Sequence, residues 1–301
     1  MKHLFLINPA AGKGRAVRDL KENIAAAAKA QGVSADVVIT TGGRQVKSLS
    51  ADFAANCPDG RIYACGGDGT FNLVVNGIGE NSTVSVGVIP VGTGNDFVRN
   101  LPCDTDDLLN IEKMMRAGTV KTDLVRLNGQ ICANACNIGF DAMVGMDMPK
   151  FKKLPLVSNQ AAYYGALFYN VIKKLGVRLY IEADGELFHK GRVLMCTVSN
   201  GRACGGGFIM APQADIHDGL LDLSLSLVPS RTKLGLFVKN FTSGTQNADP
   251  KMAPYIRSTR CKKVRIYSDK KFALINDGEG QYADMATLEI IPGGLNLIVP
   301  G

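Results

Sequence analysis

The sequence has no apolar run that approaches the roughly 18 consecutive residues needed to cross a bilayer as a helix. Its N-terminal apolar run, residues 4–7, ends at Asn8-Pro9 and is too short for the core of a signal peptide. We therefore expect a cytoplasmic protein.

Disorder is excluded as well, because 46% hydrophobic and 20% charged residues allow a core to form. A chain of 301 residues is long enough for two domains.

Histidine is scarce, and cysteine is scattered. The three histidines are not paired with any of the eight cysteines, and no Cys-x-x-Cys pair occurs. Zinc sites and disulfide frameworks both depend on such spacings. The pattern argues against both and indicates ordinary thiols in a reducing compartment.

Strand-like and helix-like segments alternate over the first 120 residues or so. Apolar runs such as 61–65 and 84–90 alternate with segments whose apolar residues recur at helical spacing, which predicts a parallel sheet covered by helices. Beyond about residue 119, strands follow one another across glycine turns, with helices predicted at about 159–175 and 233–241. The sequence thus predicts an α/β domain over residues 1–123 and a mostly antiparallel β domain over 124–289. Residues from about 290 to 301 are candidates to return to the first domain.

Three glycine-rich turns follow predicted strands of the α/β domain: NPAAGKG at 8–14, GGDGT at 66–70 and PVGTGNDF at 90–97. Ligands of an open parallel sheet bind outside the carboxyl ends of its strands. Glycines let backbone N–H groups approach a phosphate. An acidic side chain beside phosphates requires a cation, and Mg²⁺ prefers such oxygen ligands. Together the turns indicate a site for phosphates and a metal ion.

Each turn also has a purely structural interpretation. The first, taken alone, favours a plain strand-to-helix turn, since it lacks the spacing of a Walker A loop. Asp68 could satisfy backbone donors while Thr70 caps the next helix, and Asn95 or Asp96 could cap a helix start.

The order of these motifs resembles a known family. GGDGT and PVGTGND, preceded by NPAAG, are similar to the catalytic domain shared by diacylglycerol kinases, sphingosine kinases and soluble bacterial lipid kinases. The resemblance continues through residues 122–124, 137–141 and 211–222 to Asn276-Asp277-Gly278-Glu279, and so covers essentially the whole chain. GGDGT alone is shared with NAD kinases, whereas the PxGTxND turn and the DGE sequence point to lipid kinases.

The resemblance implies a nucleotide-binding-type parallel sheet in the first domain and a β-sandwich in the second, with the active site in the cleft between them. It implies ATP and Mg²⁺ as cofactors. It also implies that Glu279 is the general base for the substrate hydroxyl, which is too weak an acid to ionise unaided. On spacing alone, Asp277 and Glu279 indicate only a polar turn around Gly278.

The resemblance further implies sets of binding residues. The nucleotide-binding candidates are Asn8, Thr40, Gly66, Gly67, Asp68, Gly69, Thr70 and Thr93. The catalytic Mg²⁺ network would comprise Asp68, Asn95, Asp96 and Asp123. A second, structural Mg²⁺ would be held by Asp218 and by the backbone carbonyls of Asp215 and Leu220.

Two positions depart from the family pattern. Leu73 stands where a glutamate is frequent, and it can neither accept a hydrogen bond nor carry charge. The histidine usual after Thr40 is absent, which leaves Thr41 as an alternative to Thr40.

The positive charge is concentrated in the second part of the chain. Residues 1–123 carry 13 basic and 13 acidic residues, and the remainder carries 21 and 14, which together give the net charge of +7. Basic residues cluster at 150–174 and at 251–271, and each one beside an anionic leaflet contributes about 1 kcal/mol. We expect these lysines to make a peripheral membrane contact. The aromatics of the first cluster, Tyr163, Tyr164, Phe168 and Tyr169, are expected to lie on a helix and to pack into the protein core.

The sequence therefore favours an ATP- and Mg²⁺-dependent kinase that phosphorylates a hydroxyl of diacylglycerol or a related lipid at the membrane surface. One alternative is a kinase for a soluble substrate such as NAD. Another is a nucleotide-binding regulator without catalysis, for which Leu73 is the only support. No nucleic-acid module accompanies the basic clusters, so we expect no nucleic-acid partner. The sequence leaves open whether the protein forms a homodimer.

Overall fold

The computed structural model describes residues 1–14, 16–153, 157–173 and 175–301. The chain divides into two compact units. The first comprises Met1–Leu124, Ile216–Gly219 and Ile291–Gly301, and the second comprises Val125–Asp215 and Leu220–Ile290. Within the described residues, no helix is both long and apolar enough to span a membrane.

The first unit alternates strands and helices. In chain order these are β1 Lys2–Ile7, α1 Ala16–Gln31, β2 Ser34–Ile39, α2 Gly43–Asn56, β3 Arg61–Gly66, α3 Asp68–Ile78, β4 Ser85–Pro90, α4 Thr105–Leu109, α5 Ile111–Arg116 and β5 Gly118–Leu127. The start of β5 belongs to this unit, and its last three residues belong to the second.

Four strands of the first unit pair in parallel. β1 pairs with β2 on one side and with β3 on the other, and β3 pairs with β4. Five of the six residues in each of β1, β3 and β4 are buried, as is typical of parallel strands covered on both faces. The carboxyl ends of β1, β3 and β4 lead into the three glycine-rich turns.

The second unit is rich in strands. Its elements are β6 Gln130–Cys132, β7 Ala135–Gly139, α6 Phe140–Lys152, α7 Asn159–Ile172, β8 Val177–Ala183, β9 Glu186–Ser199, β10 Ala203–Cys204, β11 Phe208–Ile209, β12 Leu221–Leu227, α8 Leu234–Ser243, β13 Ile256–Cys261, β14 Lys263–Asn276 and β15 Glu279–Val299. β15 continues beyond this unit, and its Asn296 and Leu297 pair in parallel with β4 of the first unit.

The strands of the second unit pair in antiparallel fashion, in the order β13-β12-β9-β7-β14-β15. The two 14-residue strands β9 and β14 each pair with β7 over one part of their length and with β8 over another. Their inward side chains form one apolar core, which includes Val198, Leu223 and Leu274.

A second apolar cluster is rich in methionine and phenylalanine. It lies where α6, α7 and α8 pack against β9, with Phe140, Met195 and Phe237 among its buried members. Flexible methionines fill irregular space more easily than branched side chains do.

Helix α6 was not expected from the sequence. Its 13 residues contain Gly145 and Pro149, both unfavourable inside a helix, and its apolar residues form no clear stripe. Tertiary packing accounts for the helix: Phe140 and Val144 lie in the methionine-rich cluster. Strand β14 is continuous over 14 residues, with an irregularity in its pairing after Tyr267.

The prediction that the aromatics of α7 pack in the core is wrong for three of them. Tyr164, Phe168 and Tyr169 are exposed, whereas Ala162, Ala166 and Asn170 are buried. The helix turns small residues inward, and of its four aromatics only Tyr163 packs partly into the cluster, together with Leu167 and Val171.

A buried carboxylate connects the separate segments of the first unit. Asp123 Oδ2 accepts a hydrogen bond from the N–H of Gly219 at 2.7 Å, and Oδ1 accepts one from Gly293, also at 2.7 Å. The Asp123 N–H donates to the carbonyl of Ile216 at 2.7 Å. The segments 216–219 and 291–301 are thereby held against β5.

We expect Asp123→Ala to lower the free energy of unfolding by about 2–4 kcal/mol, because two buried N–H groups lose a charged acceptor. The check is chemical denaturation followed by circular dichroism. Thr122→Val, at the neighbouring buried residue, keeps the carboxylate and serves as the control. An unfolding midpoint of Asp123→Ala equal to that of wild type would show that the carboxylate does not hold these segments.

Candidate active site

The GGDGT sequence forms the end of β3 and the first turn of α3. The helix begins at Asp68, preceded by Gly67 as its N-cap without a side-chain bond. The prediction that Thr70 caps this helix is therefore wrong, since Thr70 lies inside it. Thr70 is buried, and its hydroxyl accepts a hydrogen bond from Asn8 Nδ2 at 3.0 Å.

Asn8 connects the first turn to the second. Its Oδ1 accepts from the N–H of Ala10, and its own N–H donates to the carbonyl of Cys65, both at 3.0 Å. Both ends of the Asn8 amide are thus occupied within the protein. Lys13 of this turn has no described side chain.

Thr40 and Thr41 differ in their surroundings. Thr40 is buried, and its N–H and hydroxyl both donate to the carbonyl of Ile7, at 2.9 and 3.1 Å. Thr41 is exposed and bonds the side chain of Gln45. Thr40 therefore joins the ends of β1 and β2.

The second and third turns meet through their glycines. The N–H of Gly92 donates to the carbonyl of Gly66 at 3.2 Å. A Cβ on Gly92 would lie only 2.4 Å from Gly67 Cα, closer than any side chain can approach a backbone atom. Glycine at position 92 is therefore required for the two turns to pack.

Asp68 also crosses to the third turn. Its Oδ1 accepts the N–H of Phe97 at 2.9 Å. Its Oδ2 borders Gly94, 3.1 Å from the position that a Cβ would occupy there, and Asp96 Oδ2 lies 3.7 Å from the same position. The structure thus brings the two predicted carboxylates together around one glycine.

Asn95 is held in an unusual backbone conformation. Its φ of 50° is in the left-handed region, which asparagine tolerates better than most residues. Its Nδ2 donates to the carbonyls of Pro90 and Gly92, each at 3.0 Å, whereas its Oδ1 is buried without a hydrogen-bond partner among the described residues. A buried acceptor left in this state fits a site that receives a cation or a donor.

These groups fit a hydrated Mg²⁺ ion. Asp68, Asn95 and Asp96 supply hard oxygen donors, and Mg²⁺ usually keeps several waters alongside one or two carboxylates. The described residues contain no cluster of three or more His, Cys, Asp or Glu side chains that could enclose a metal. The arrangement therefore fits an ion shared with phosphates better than a closed protein cage. Thr93, at the tip of the same turn, is exposed.

The other predicted residues have separate surroundings. Asp123 has the structural contacts described above. Asp215 and Asp218 are exposed, and the turn after Asp218 has Gly219 in the left-handed region, with φ of 72°. The role of Asp215, Asp218 and Leu220 as a second metal site stays a prediction.

Asp277 and Gly278 form a two-residue hairpin turn between β14 and β15. Their φ angles of 43° and 94° match the turn type preferred in such hairpins. Asp277 accepts hydrogen bonds from the N–H groups of Ala133, Asn134 and Ala135 at 2.6–3.1 Å. Glu279, the partner of Asn276 in the ladder, is exposed. The structure therefore gives Asp277 an anchoring role and leaves the Glu279 carboxylate on a fixed turn, facing solvent.

Asp141 is an acidic residue to which sequence analysis gave no role. It lies in the first turn of α6, and neither carboxylate oxygen has a well-formed hydrogen bond within the described residues. Burial raises the pKa of Asp141 to about 7, opposed by the N–H groups of Ala142 and Asp141. Its only sequence signal is its place in the motif at 137–141.

Asn276, in the same unit as Asp141, also has a buried acceptor without a hydrogen-bond partner among the described residues. Its buried Oδ1 has no partner within the described residues, and Asn276 is paired in the ladder with both Cys136 and Glu279. Asp141 contributes to raising the pKa of Cys136, after burial and other neighbours. The hairpin that carries Glu279 thus has one buried acceptor without a partner within the described residues, Asn276 Oδ1, on the residue that pairs with Glu279.

Comparisons with known proteins show which families the chain resembles. The diacylglycerol kinase catalytic domain family matches residues 2–127, and the YegS C-terminal NAD kinase beta sandwich-like domain family matches residues 134–299. A diacylglycerol kinase of Bacillus subtilis is 31% identical over 220 residues, which cover 72% of this chain and 70% of the relative. A diacylglycerol kinase of Staphylococcus aureus is 28% identical over 276 residues, or 91% of this chain and 85% of the relative.

Solved structures show the same fold. A diacylglycerol kinase from Bacillus anthracis has a TM-score of 0.73 at 19% identity and covers 99% of this chain and 96% of its own. An NAD kinase from Archaeoglobus fulgidus has a TM-score of 0.54 at 12% identity, and the match covers 100% of this chain and 94% of the NAD kinase. These likenesses support a two-domain kinase fold whose second domain is a β-sandwich.

The matching motifs, domains and relatives define a lipid kinase. The chain belongs to the diacylglycerol kinase family of bacterial lipid kinases.

We expect Gly92→Ala to lower the free energy of unfolding by about 1–3 kcal/mol, because its methyl group would force the second and third turns apart. Gly69→Ala is the matched control, since nothing lies within 4 Å of a Cβ there. Thermal unfolding of both variants is the measurement. A Gly92→Ala variant as stable as Gly69→Ala would rule out the close packing of the turns.

Asp141→Asn should change how stability depends on pH. A carboxyl whose pKa is raised in the folded state loses stability as pH rises from its unfolded value near 4 to its folded value near 7. The asparagine variant lacks that loss, so it should gain about 2–4 kcal/mol relative to wild type between pH 4 and pH 8.

The measurement is urea denaturation of both proteins across this pH range. Asp52→Asn, at an exposed position of α2, controls for the loss of a surface charge. A constant stability difference between Asp141→Asn and wild type at all pH values would contradict the raised pKa.

Proposed function

We propose that the protein transfers the γ-phosphate of ATP, with Mg²⁺, to a hydroxyl group of diacylglycerol or a related lipid. The observation that carries the proposal is the approach of Asp68 Oδ2 and Asp96 Oδ2 to Gly94, next to Asn95, whose buried Oδ1 has no hydrogen-bond partner within the described residues. The family supports the lipid as substrate, since the named relatives are diacylglycerol kinases.

The nucleotide would bind at the carboxyl ends of β3 and β4. Gly69 leaves the backbone in the first turn of α3 open, because nothing lies within 4 Å of a Cβ position there, whereas Gly66 packs against Thr70 and Gly67 against Gly92. The first N–H groups of a helix and its dipole favour a phosphate there. The distant likeness to an NAD kinase solved in complex with ATP supports ATP as the nucleotide.

Bound Mg²⁺ would neutralise charge on the transferring phosphate, and phosphoryl transfer depends mainly on such neutralisation and on alignment. Asp68 and Asn95 would hold the ion and its waters. The bond from Phe97 N–H to Asp68 Oδ1 leaves Oδ2 available and fixes the carboxylate in one orientation. Little reorganisation is then needed when the nucleotide binds.

Glu279 would accept the proton of the lipid hydroxyl. Its place next to a two-residue turn, anchored by three N–H bonds to Asp277, restricts where the carboxylate can lie. A base must be within hydrogen-bond reach of the proton it removes, so a fixed turn favours the reaction. Asp277 acts as a positioning residue.

The protein would meet its substrate at the membrane surface, through the basic second unit. Its second unit contains the stretch 251–271 with eight basic residues and one acidic residue. A kinase for a soluble substrate is the second candidate, favoured by the GGDGT sequence that NAD kinases share and by the distant structural likeness to an NAD kinase.

The test measures transfer of labelled γ-phosphate from ATP, with Mg²⁺, to lipids in mixed micelles and to NAD in solution. We expect label in diacylglycerol or another lipid. Label in NAD alone would overturn the proposal.

Asp68→Asn and Glu279→Gln should each reduce kcat by about a hundredfold or more, because a metal ligand or a general base is removed. Glu186→Gln, at an exposed strand end remote in sequence from the site, is the control. Full activity of Glu279→Gln with normal folding would reject its role as base.

A further inference from the structure

One helix of the second unit carries an unusual exposed apolar ridge. On α7, Tyr164, Phe168 and Ile172 recur every four residues and are 60%, 68% and 65% exposed. Tyr169 beside them is 44% exposed. A helix normally buries such a face, and a contiguous exposed patch of this kind marks an interaction surface.

The ridge belongs to a helix without charge. None of the 14 residues of α7 is acidic or basic. Its inner side is fixed by small residues and by Asn170, whose Nδ2 donates to Asp147 at 3.0 Å. The exposed aromatics therefore project from a well-packed base.

Cations border the ridge. Lys173 lies over the ring of Tyr169, 3.9 Å from its centre, and pairs with Asp147 at 3.2 Å. Lys150 pairs with the same carboxylate at 2.5 Å and is 69% exposed. Arg231 donates to the carbonyls of Val171 and Lys173, each at 3.0 Å. In the described part of the chain the rim of the ridge thus contains three basic groups and one acidic group, Asp147, which pairs with the two lysines. Lys174, next in sequence, lies outside the described residues.

Helix α6 packs both on α7 and on the hairpin that carries Glu279. Lys150 belongs to α6, and the hydrogen bond and charge of Asp147 raise its pKa. Tyr282 is 63% exposed and follows Glu279 by three residues. A Cβ on Gly280 would lie 2.6 Å from Met146 of α6, so α6 packs directly on this hairpin.

We propose that the α7 ridge, formed by Tyr164, Phe168, Tyr169 and Ile172, inserts into the interfacial region of an anionic phospholipid bilayer, with Lys150, Lys173 and Arg231 facing the headgroups. An apolar helix face rimmed by basic residues lies in the plane of a membrane interface. Tyrosine is enriched at the level of the headgroups. The inference rests on the proposed function, since a lipid kinase must reach the bilayer, but its main test, vesicle binding, does not require turnover.

Charge complementarity favours a bilayer over a second copy of the chain. A symmetric pairing of this face would bring the basic rim of one protomer against that of the other. An anionic leaflet has the opposite charge and attracts the same groups.

The test is sedimentation of the full chain with vesicles made of equal parts phosphatidylcholine and phosphatidylglycerol. We expect the triple variant Tyr164→Ser, Phe168→Ser, Ile172→Ser to bind at least about tenfold more weakly than wild type. Leu187→Ser is the control, because Leu187 is 64% exposed on β9 of the same unit. Unaltered circular dichroism confirms that the triple variant folds.

Two further results separate the outcomes. Phosphorylation of a short-chain diacylglycerol dissolved as monomers should be unchanged in the triple variant, whereas activity on vesicles should fall with binding. Vesicle binding that the triple variant retains at the wild-type level would overturn the inference. So would loss of a dimer, seen by analytical ultracentrifugation, in place of loss of vesicle binding. Binding lost by the triple variant in a protein that phosphorylates no lipid would support the ridge while rejecting the proposed function.

Discussion

The buried carboxylate of Asp123 is the interaction on which the first unit depends. The chain leaves this unit after Leu124, returns for residues 216–219, and returns again at 291. Each return is fixed by a backbone N–H that donates to Asp123, from Gly219 and from Gly293. A charged acceptor that satisfies two buried donors is costly to replace. One side chain therefore joins segments separated by up to 170 residues in sequence.

The candidate active site is built from backbone proximity as much as from side chains. Gly92 lets the third turn pack against Gly67, and Asp68 then reaches Phe97. The carboxylates and the Asn95 amide are oriented before any ligand binds. Such preorganisation is the main protein contribution to phosphoryl transfer, because the reacting charges then meet donors that need not move. In the second unit, three N–H bonds to Asp277 do the same for the turn beside Glu279.

The sequence predicts those features that local chemistry determines. Apolar runs followed by glycine-rich turns located β1, β3 and β4, and the DG pair located the hairpin beside Glu279. The errors arise where contacts between residues distant in sequence determine whether a helix forms and which of its faces is buried. Helix α6 forms in spite of Gly145 and Pro149, because its apolar residues fill a cluster made by β9 and α8. Periodicity alone cannot tell which side of α7 is covered, so Tyr164 and Phe168 were assigned to a core that uses Ala162 and Ala166 instead.

Strand β15 has a further consequence for how the protein is made. Its 21 residues pair with β14 in the second unit at one end and with β4 in the first unit at the other. During synthesis, β1 to β4 leave the ribosome well before the residues that complete their sheet. The edge of β4 therefore stays unpaired while the whole second unit is translated, and exposed strand edges promote aggregation. The N-terminal unit must wait for the last strand, so its completion and that of the second unit are linked in time by one segment of chain.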